Sequence, residues 1–412
     1  MEASNPFARH WALAPDITFL NHGSFGACPR PVLETQNELR LRMERNPVGF
    51  LVREFEPLLD QARLRLARFV GGDPEGLAFL ANVTTAVNTV LANLRLGPGD
   101  EILTTNHEYN ACRTALEAAA ERCGARIVVV PIPFPLASPD EIRDAVLARI
   151  GPRTRFALLD HVTSPTALVL PVERLVADLE GRGITTLVDG AHAPGMLALD
   201  LKRLGASYYA GNCHKWICAP KGAGFVYARS DRRPGMRPLV IGHGANATRP
   251  DRSRFRLEFD WLGTQDGTAC LCVPAALDFM GALLPGGWAE LRARNHALAC
   301  EGRRILCAAL RAEPPCPEDM LGSMAAVVLA DGENAAAART PDLPPERAVP
   351  PDDDPLEARL FDRHGIVVPV FRWQSPRVRI LRISAQIYNE ASEYRRLGAI
   401  VAENLVTPLP GE

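Results

Sequence analysis

Apolar runs and amphipathic stretches alternate along most of the chain. Leu77-Ala-Phe-Leu80 is a short apolar run, and Ala86 to Leu96 follows with helical spacing until Gly97-Pro-Gly99 ends it. Glu101-Ile-Leu-Thr-Thr105, Arg126 to Pro131 with its Ile-Val-Val-Val, Arg155 to Leu159 and Gly183 to Asp189 read as further strands. The Arg126 run reads as a buried strand, and Val172 to Arg182 has helical periodicity. Strands that alternate with helices predict an α/β fold with a mostly parallel sheet covered on both faces. Ligands in such folds bind at the carboxyl ends of strands, so the polar residues there are where chemistry is sought.

The last third has a different rhythm. A helical pattern rich in Ala and Arg runs from Trp288 to Arg311, and a Pro-, Ala- and acid-rich stretch covers 331–355. That stretch reads as a surface insertion or an active-site lid. Gly365 to Val370 and Val378 to Ser384 read as two strands of a small α+β domain. The expected organisation is an N-terminal arm at 1–20, a large domain at 21–280 and a small C-terminal domain at 281–412.

Charge narrows the partners. Forty-six Lys and Arg face 48 Asp and Glu, a net charge of −2. No basic surplus exists to neutralise phosphates, which excludes a broad nucleic-acid surface. No apolar stretch reaches the ~18 residues of a membrane span, and residues 3–19 lack the apolar core of a secretory signal. The ten cysteines include no Cys-x-x-Cys pair. They read as free thiols in a reducing cytoplasm, and no metal site is expected.

The densest candidate chemistry lies between Leu187 and Tyr227. Asp189 ends an apolar strand in Leu-Val-Asp-Gly-Ala-His192, and Asn212-Cys-His214-Lys215-Trp216 follows. A strand-end carboxylate can meet a cationic ligand atom. A lysine beside an aromatic ring and a small-residue turn can be desolvated, which lowers its pKa and suits it to Schiff-base chemistry. Each residue also has a plainer reading, a helix-capping Asp and a surface Lys. Asn82-Val-Thr84-Thr85 lies between a strand and a helix, where the threonines can cap the helix and its free N–H groups attract an anion.

Taken together, Asp-x-Ala-His, the His-Lys dipeptide and the Gly-rich strand after it resemble the fold-type I pyridoxal-phosphate (PLP) enzymes of aminotransferase class V. The resemblance spans about Phe19 to Asn389. It implies that Lys215 forms a Schiff base with PLP, that Asp189 pairs with the pyridine nitrogen, and that His192 lies near the ring edge. It also implies a phosphate cup of Thr84 and Thr85, with Asn212 and His214 beside it. Tyr109, in Asn106-His-Glu-Tyr-Asn110, takes the position that stacks on the ring; His107 is the competing choice, otherwise a loop histidine in solvent. Ser164 matches a contact to the phenolic oxygen, and Arg382 the residue that binds the substrate's α-carboxylate. Gly263-Thr264 resembles the segment that reaches the neighbouring subunit's phosphate, which implies a homodimer with shared active sites. Phe19 to Gly26 and Asn46-Pro47-Val48-Gly-Phe50 are similar to the isopenicillin N epimerase-like group. Asn21 and His22 are therefore candidates for substrate contact.

The resemblance leaves the reaction open. A persulfide-forming desulfurase needs a cysteine before the carboxylate-binding arginine, and residues 317–412 contain none. Epimerisation at Cα of an amino acid or small peptide leads, with C–S lysis by β-elimination or transamination as alternatives. A silent PLP-fold binding protein would not need Lys215, Asp189 and Arg382 together. A serine hydrolase is disfavoured because no Gly-x-Ser-x-Gly elbow occurs.

Overall fold

The computed structural model describes residues 5–329, 354–373 and 375–406. Its centre is a seven-stranded sheet built from β2 (Leu77–Leu80), β3 (Glu101–Thr105), β4 (Arg126–Val130), β5 (Thr154–Asp160), β6 (Thr185–Gly190), β7 (Tyr208–Asn212) and β8 (Gly224–Ala228). The strand order is β2-β8-β7-β6-β5-β3-β4. Four neighbouring pairs are parallel, and β8 runs antiparallel to both of its neighbours. The two apolar faces pack into separate clusters, one with Leu103, Leu159, Val188 and Phe225, the other with Ile102, Phe156, Leu187 and Val226. The alternation of neighbouring residues between faces is the two-residue period of a strand covered on both sides.

Further along the chain, β9 (Met324–Leu329), β11 (Val370–Trp373) and β12 (Ser375–Ser384) form a three-stranded antiparallel sheet. The helices Gly287–Leu310 and Ala391–Val406 pack on each other beside it. The strand β1 (Thr18–Phe19) pairs in parallel with β10 (Ile366–Val367), which ties the start of the chain to its end.

Three local expectations are corrected. The Arg126 run forms β4, an edge strand with only Val130 buried, because it pairs on one side with β3 and has no further neighbour. The helix expected at 86–96 spans Val83–Ala92. Asn82 caps it by accepting from the Thr85 N–H at 2.9 Å, so Thr84 and Thr85 lie inside the first turn and do not form the cap. Asn93 stops the helix by bonding both Thr89 and Arg237. The strand expected at 365–370 is two: β10 pairs with β1, and Pro369, which has no N–H, separates it from β11. The stretch 331–355 lies outside the described residues except for Asp354 and Pro355, which begin the helix Pro355–His364. Among the described residues, no helix is long and apolar enough to cross a membrane.

Candidate active site

Register brings the candidate residues together. Asp160 on β5 is opposite Asp189 on β6, which is opposite Ala210 on β7. The parallel strands β3, β5, β6 and β7 therefore end at one edge. The segments that leave this edge carry Tyr109, Ser164, His192 and Lys215.

Lys215 is one of three lysines in the chain, and Lys202 and Lys221 are both exposed. Burial removes water from the Lys215 ammonium and brings its pKa down to about 7, helped by the positive charge of Arg382. A large fraction of the amine is thus free at neutral pH. Its Nζ lies 3.2 Å from His192 Nε2. Burial holds the His192 ring neutral. If Nε2 accepts from the ammonium, the proton of the ring sits on Nδ1, a buried atom with no hydrogen-bond partner.

Asp189 is buried; its Oδ1 accepts from the Ala191 N–H at 2.8 Å, and its Oδ2 accepts from Cys112 Sγ at 3.2 Å. Burial raises its pKa, while those two donors and the Lys215 charge oppose the rise. Two more carboxyls share the region. Burial first, then the neighbouring carboxylates, push Glu108 and Asp160 well above the ordinary range. Asp189 differs from them in having the Lys215 charge, besides its two donors, to oppose the rise, which favours it as the group that faces a cationic partner. Glu108, Cys112 and Asp189 also stand close to one another, with ligand atoms within 4.8 Å.

Arg382, on β12, is fully buried. Its Nη1 donates to the Ser164 carbonyl at 2.8 Å and lies 3.2 Å from Ser164 Oγ. Its Nη2 donates to Asn21 Oδ1 at 3.0 Å and Ser24 Oγ at 2.8 Å. All these partners are neutral, and among the described residues no carboxylate forms an ion pair with it. Burial draws its pKa down to about 10, against the opposing charge of Glu357. A desolvated guanidinium held only by neutral oxygens is poised to take an anion.

The other expected residues separate into groups. Tyr109 is half-exposed at the start of the helix Asn110–Cys123 and feels the charges of Asp189 and Arg382. Its rival His107 is fully buried, 2.8 Å from Thr166 Oγ1 and packed on Trp373, so it is neither a solvent-facing loop residue nor a residue of the site. Asn212 caps the cup helix a second time, accepting from the Val83 N–H at 3.0 Å. Gly224 lies so close that a Cβ there would meet the Asn82 backbone at 2.6 Å. His214 Nδ1 faces the Ala223 carbonyl at 3.2 Å. Thr264 is on an exposed loop, and among the described residues no hydrogen bond links it to Lys215 and its neighbours.

His22 departs from its expected place at the substrate. The ring is fully buried, with Nδ1 2.8 Å from Tyr388 Oη and Nε2 3.0 Å from the Lys215 carbonyl. Both nitrogens are engaged by protein groups. Sequence reasoning also passed over Ser24, Cys112, Glu108 and Asp160. Glu108 and Asp160 lie at or just beyond the ends of predicted strands, so position could have flagged them. Nothing local marks Ser24 or Cys112.

These features fit PLP, tested on the residues themselves. The one interior lysine has a neutralised amine, a buried carboxylate stands beside it, and His192 Nδ1 has a proton to give. The N-terminus of the helix Val83–Ala92, fixed by two asparagine side chains, lies after β2 on the same sheet.

Comparison with known proteins agrees. The aminotransferase class-V family profile matches residues 24–306. The isopenicillin N epimerase of Amycolatopsis lactamdurans is 38% identical, over 95% of this chain and 96% of the relative. A probable chloroplastic L-cysteine desulfhydrase of Arabidopsis thaliana is 30% identical, over 96% of this chain and 84% of the relative. Among solved structures, the cystine C–S lyase C-DES superposes with a TM-score of 0.76 at 22% identity, covering 94% of this chain and 98% of that one. The cysteine desulfurase of Thermococcus onnurineus shares the fold at a TM-score of 0.76 and 18% identity, covering 97% of each chain. The chain belongs to the aminotransferase class-V family of PLP-dependent enzymes.

Proposed function

We propose that the enzyme binds PLP at Lys215 and inverts the Cα centre of an amino acid or small peptide. The observation that carries this reading is a desolvated amine that feels the charge of a buried guanidinium whose hydrogen bonds all go to neutral oxygens. An α-amino acid supplies the carboxylate that Arg382 lacks. Arg382 forks onto it. Lys215, once the substrate amine has taken its place, would remove the Cα proton as general base, and return of a proton to the opposite face of Cα would complete the inversion. When bound, PLP supplies the electron sink that makes this proton acidic. Asp189 would hold a proton on the ring nitrogen, and His192 Nδ1 would be free to donate to the cofactor. Thr84, Thr85, Asn212 and His214 would hold its phosphate, and Ser164 and Tyr109 its ring.

Two relatives at 38% identity bear the name isopenicillin N epimerase, which supports inversion as the first reading. A C–S lyase is the second, supported by relatives named L-cysteine desulfhydrase. The persulfide route of the desulfurases has no cysteine to serve it after Cys316. The same reading keeps an N-terminal arm at 1–20, a cofactor domain at 21–280 and a C-terminal domain at 281–412. It also places the protein in the cytoplasm as a homodimer, with Gly263-Thr264 reaching the neighbouring phosphate.

The test is incubation of the PLP-loaded protein with amino acids, small peptides and cysteine conjugates in heavy water. Deuterium at an inverted Cα supports the epimerase. Pyruvate with release of a thiol supports the lyase instead. A protein that stays colourless with PLP, with no visible band to lose in Lys215→Ala, sinks both readings.

A further inference from the structure

A buried polar network contacts the backbone of Lys215. His22 Nε2 is 3.0 Å from the Lys215 carbonyl, and His22 Nδ1 is 2.8 Å from Tyr388 Oη. A carbonyl only accepts, so a bond at 3.0 Å places the ring proton on Nε2 and makes Nδ1 the acceptor from Tyr388. The Gln386 amide is the competing contact. Its Oε1 accepts from Asn295 Nδ2 at 2.9 Å and from the Ile387 N–H at 2.8 Å, which turns its NH2 toward Cys218 Sγ at 3.7 Å. Gln386 Nε2 does approach His22 Nε2 to 3.3 Å. The opposite tautomer would set two lone pairs against each other at 3.0 Å, a closer and costlier clash. The ring also packs on Trp216, with centroids 4.9 Å apart. Cys218, three residues after the lysine, adopts a positive φ of 61°, a conformation that a β-substituted residue keeps only when its surroundings hold it there.

The neighbour of His22 matters equally. Asn21 accepts from Arg382 Nη2. Two adjacent residues therefore hold the guanidinium on one side and the lysine backbone on the other.

We propose that His22 is a positioning residue for Lys215 and that the Asn21-His22 dipeptide sets the distance between the reactive amine and the carboxylate-binding Arg382. His22 fixes the peptide from which the lysine stem departs, and Tyr388 fixes His22. Arg382, Gln386 and Tyr388 belong to one short C-terminal segment, so the carboxylate subsite and the lysine clamp rest on the same support. This rests on the reading of Lys215 and Arg382 given above.

The experiment uses the full chain as wild type and as His22→Ala, His22→Gln and Tyr388→Phe. The wild type must first give the visible PLP band; its absence overturns the proposed function and, with it, the role of Lys215 on which this proposal rests. Given that band, His22→Ala lowers kcat at least tenfold on the substrate found in heavy water, shifts the pH at which the band titrates, and slows PLP capture at Lys215 read by borohydride reduction and mass spectrometry. His22→Gln, whose Nε2–H reaches in the same direction, recovers most of both effects, and Tyr388→Phe falls between. If His22→Ala fails to fold, Tyr388→Phe carries the test by the same three readouts. In addition, the 15N shifts of cofactor-free protein show His22 protonated on Nε2. Wild-type kcat and an unmoved band titration in the folded variants overturn the proposal, as does an Nδ1–H tautomer.

Discussion

Replacing Lys215 with methionine separates the cost of burying the amine from its chemistry. The folded lysine has a pKa near 7 against an ordinary 10.5, chiefly because burial desolvates the ammonium. That gap is worth about 5 kcal/mol at RT ln 10 per pH unit. Above pH 10.5 the amine is neutral in both folded and unfolded chains, and nothing is lost. Between 10.5 and 7 the unfolded chain binds a proton that the folded chain does not, so stability falls as the pH falls. Below 7 both forms are charged, and the full penalty is present. Methionine fills nearly the same volume without a charge. Lys215→Met is therefore more stable than wild type at about pH 6, and the advantage drops to less than half by about pH 9. For 412 residues, with about 2 cal/mol/K of unfolding entropy each, the gain at about pH 6 corresponds to about 6 °C. Asp189 loses the cation beside it, which offsets part of the gain, so the trend with pH is the diagnostic. The assay is thermal melting of both cofactor-free proteins from about pH 6 to about pH 9 by circular dichroism. A melting difference that stays constant with pH, or that grows as the pH rises, refutes the account of Lys215.

Other substitutions test the remaining assignments. Arg382→Leu removes the fork for the carboxylate and raises KM by about a hundredfold or more, about 3 kcal/mol of charged hydrogen bonding, while the visible PLP band in a spectrophotometric titration stays in place. Asp189→Asn keeps the protein yellow but lowers kcat by at least a hundredfold in single-turnover measurements, because the ring nitrogen loses the anion that holds its proton. Gly224→Ala drives a Cβ into the Asn82 backbone, shifts the start of the helix Val83–Ala92, and weakens PLP affinity at least tenfold by equilibrium dialysis. Cys112→Ser retains a donor to Asp189 and binds PLP normally, whereas Cys112→Val leaves Oδ2 without that donor and moves the pH at which the visible band titrates.

The elements that carry the site were legible because their patterns are local. The runs at 77–80, 101–105, 155–159 and 183–189 became strands within a residue or two, since short runs of apolar and β-branched residues between turn formers leave few alternatives. Boundaries slipped where a side chain decided them. Asn82 begins its helix three residues early because its carboxamide reaches the Thr85 N–H, and periodicity does not register a single cap. The Arg126 run looks like a buried strand because its composition is that of one. Its place at the sheet edge depends on which strands pair, a property of the whole chain.

The sequence by itself determined the chemistry available: a lysine followed by Trp216, a strand-end Asp189, and an arginine in a C-terminal strand. It also determined the order of strands and helices, because apolar periodicity acts over a few residues. Only the tertiary structure decided which of these groups act together. Asn21 and Arg382 are 361 residues apart and lie 3.0 Å from each other. His22 and Lys215 are 193 apart and share a hydrogen bond. His22 came to bond Tyr388 and the Lys215 backbone, and His107 came to lie in the interior, because burial and hydrogen-bond partners are set by the packing of distant segments. The same packing strips water from Lys215 and Arg382, and that desolvation turns two ordinary cations into a reactive amine and an anion receptor.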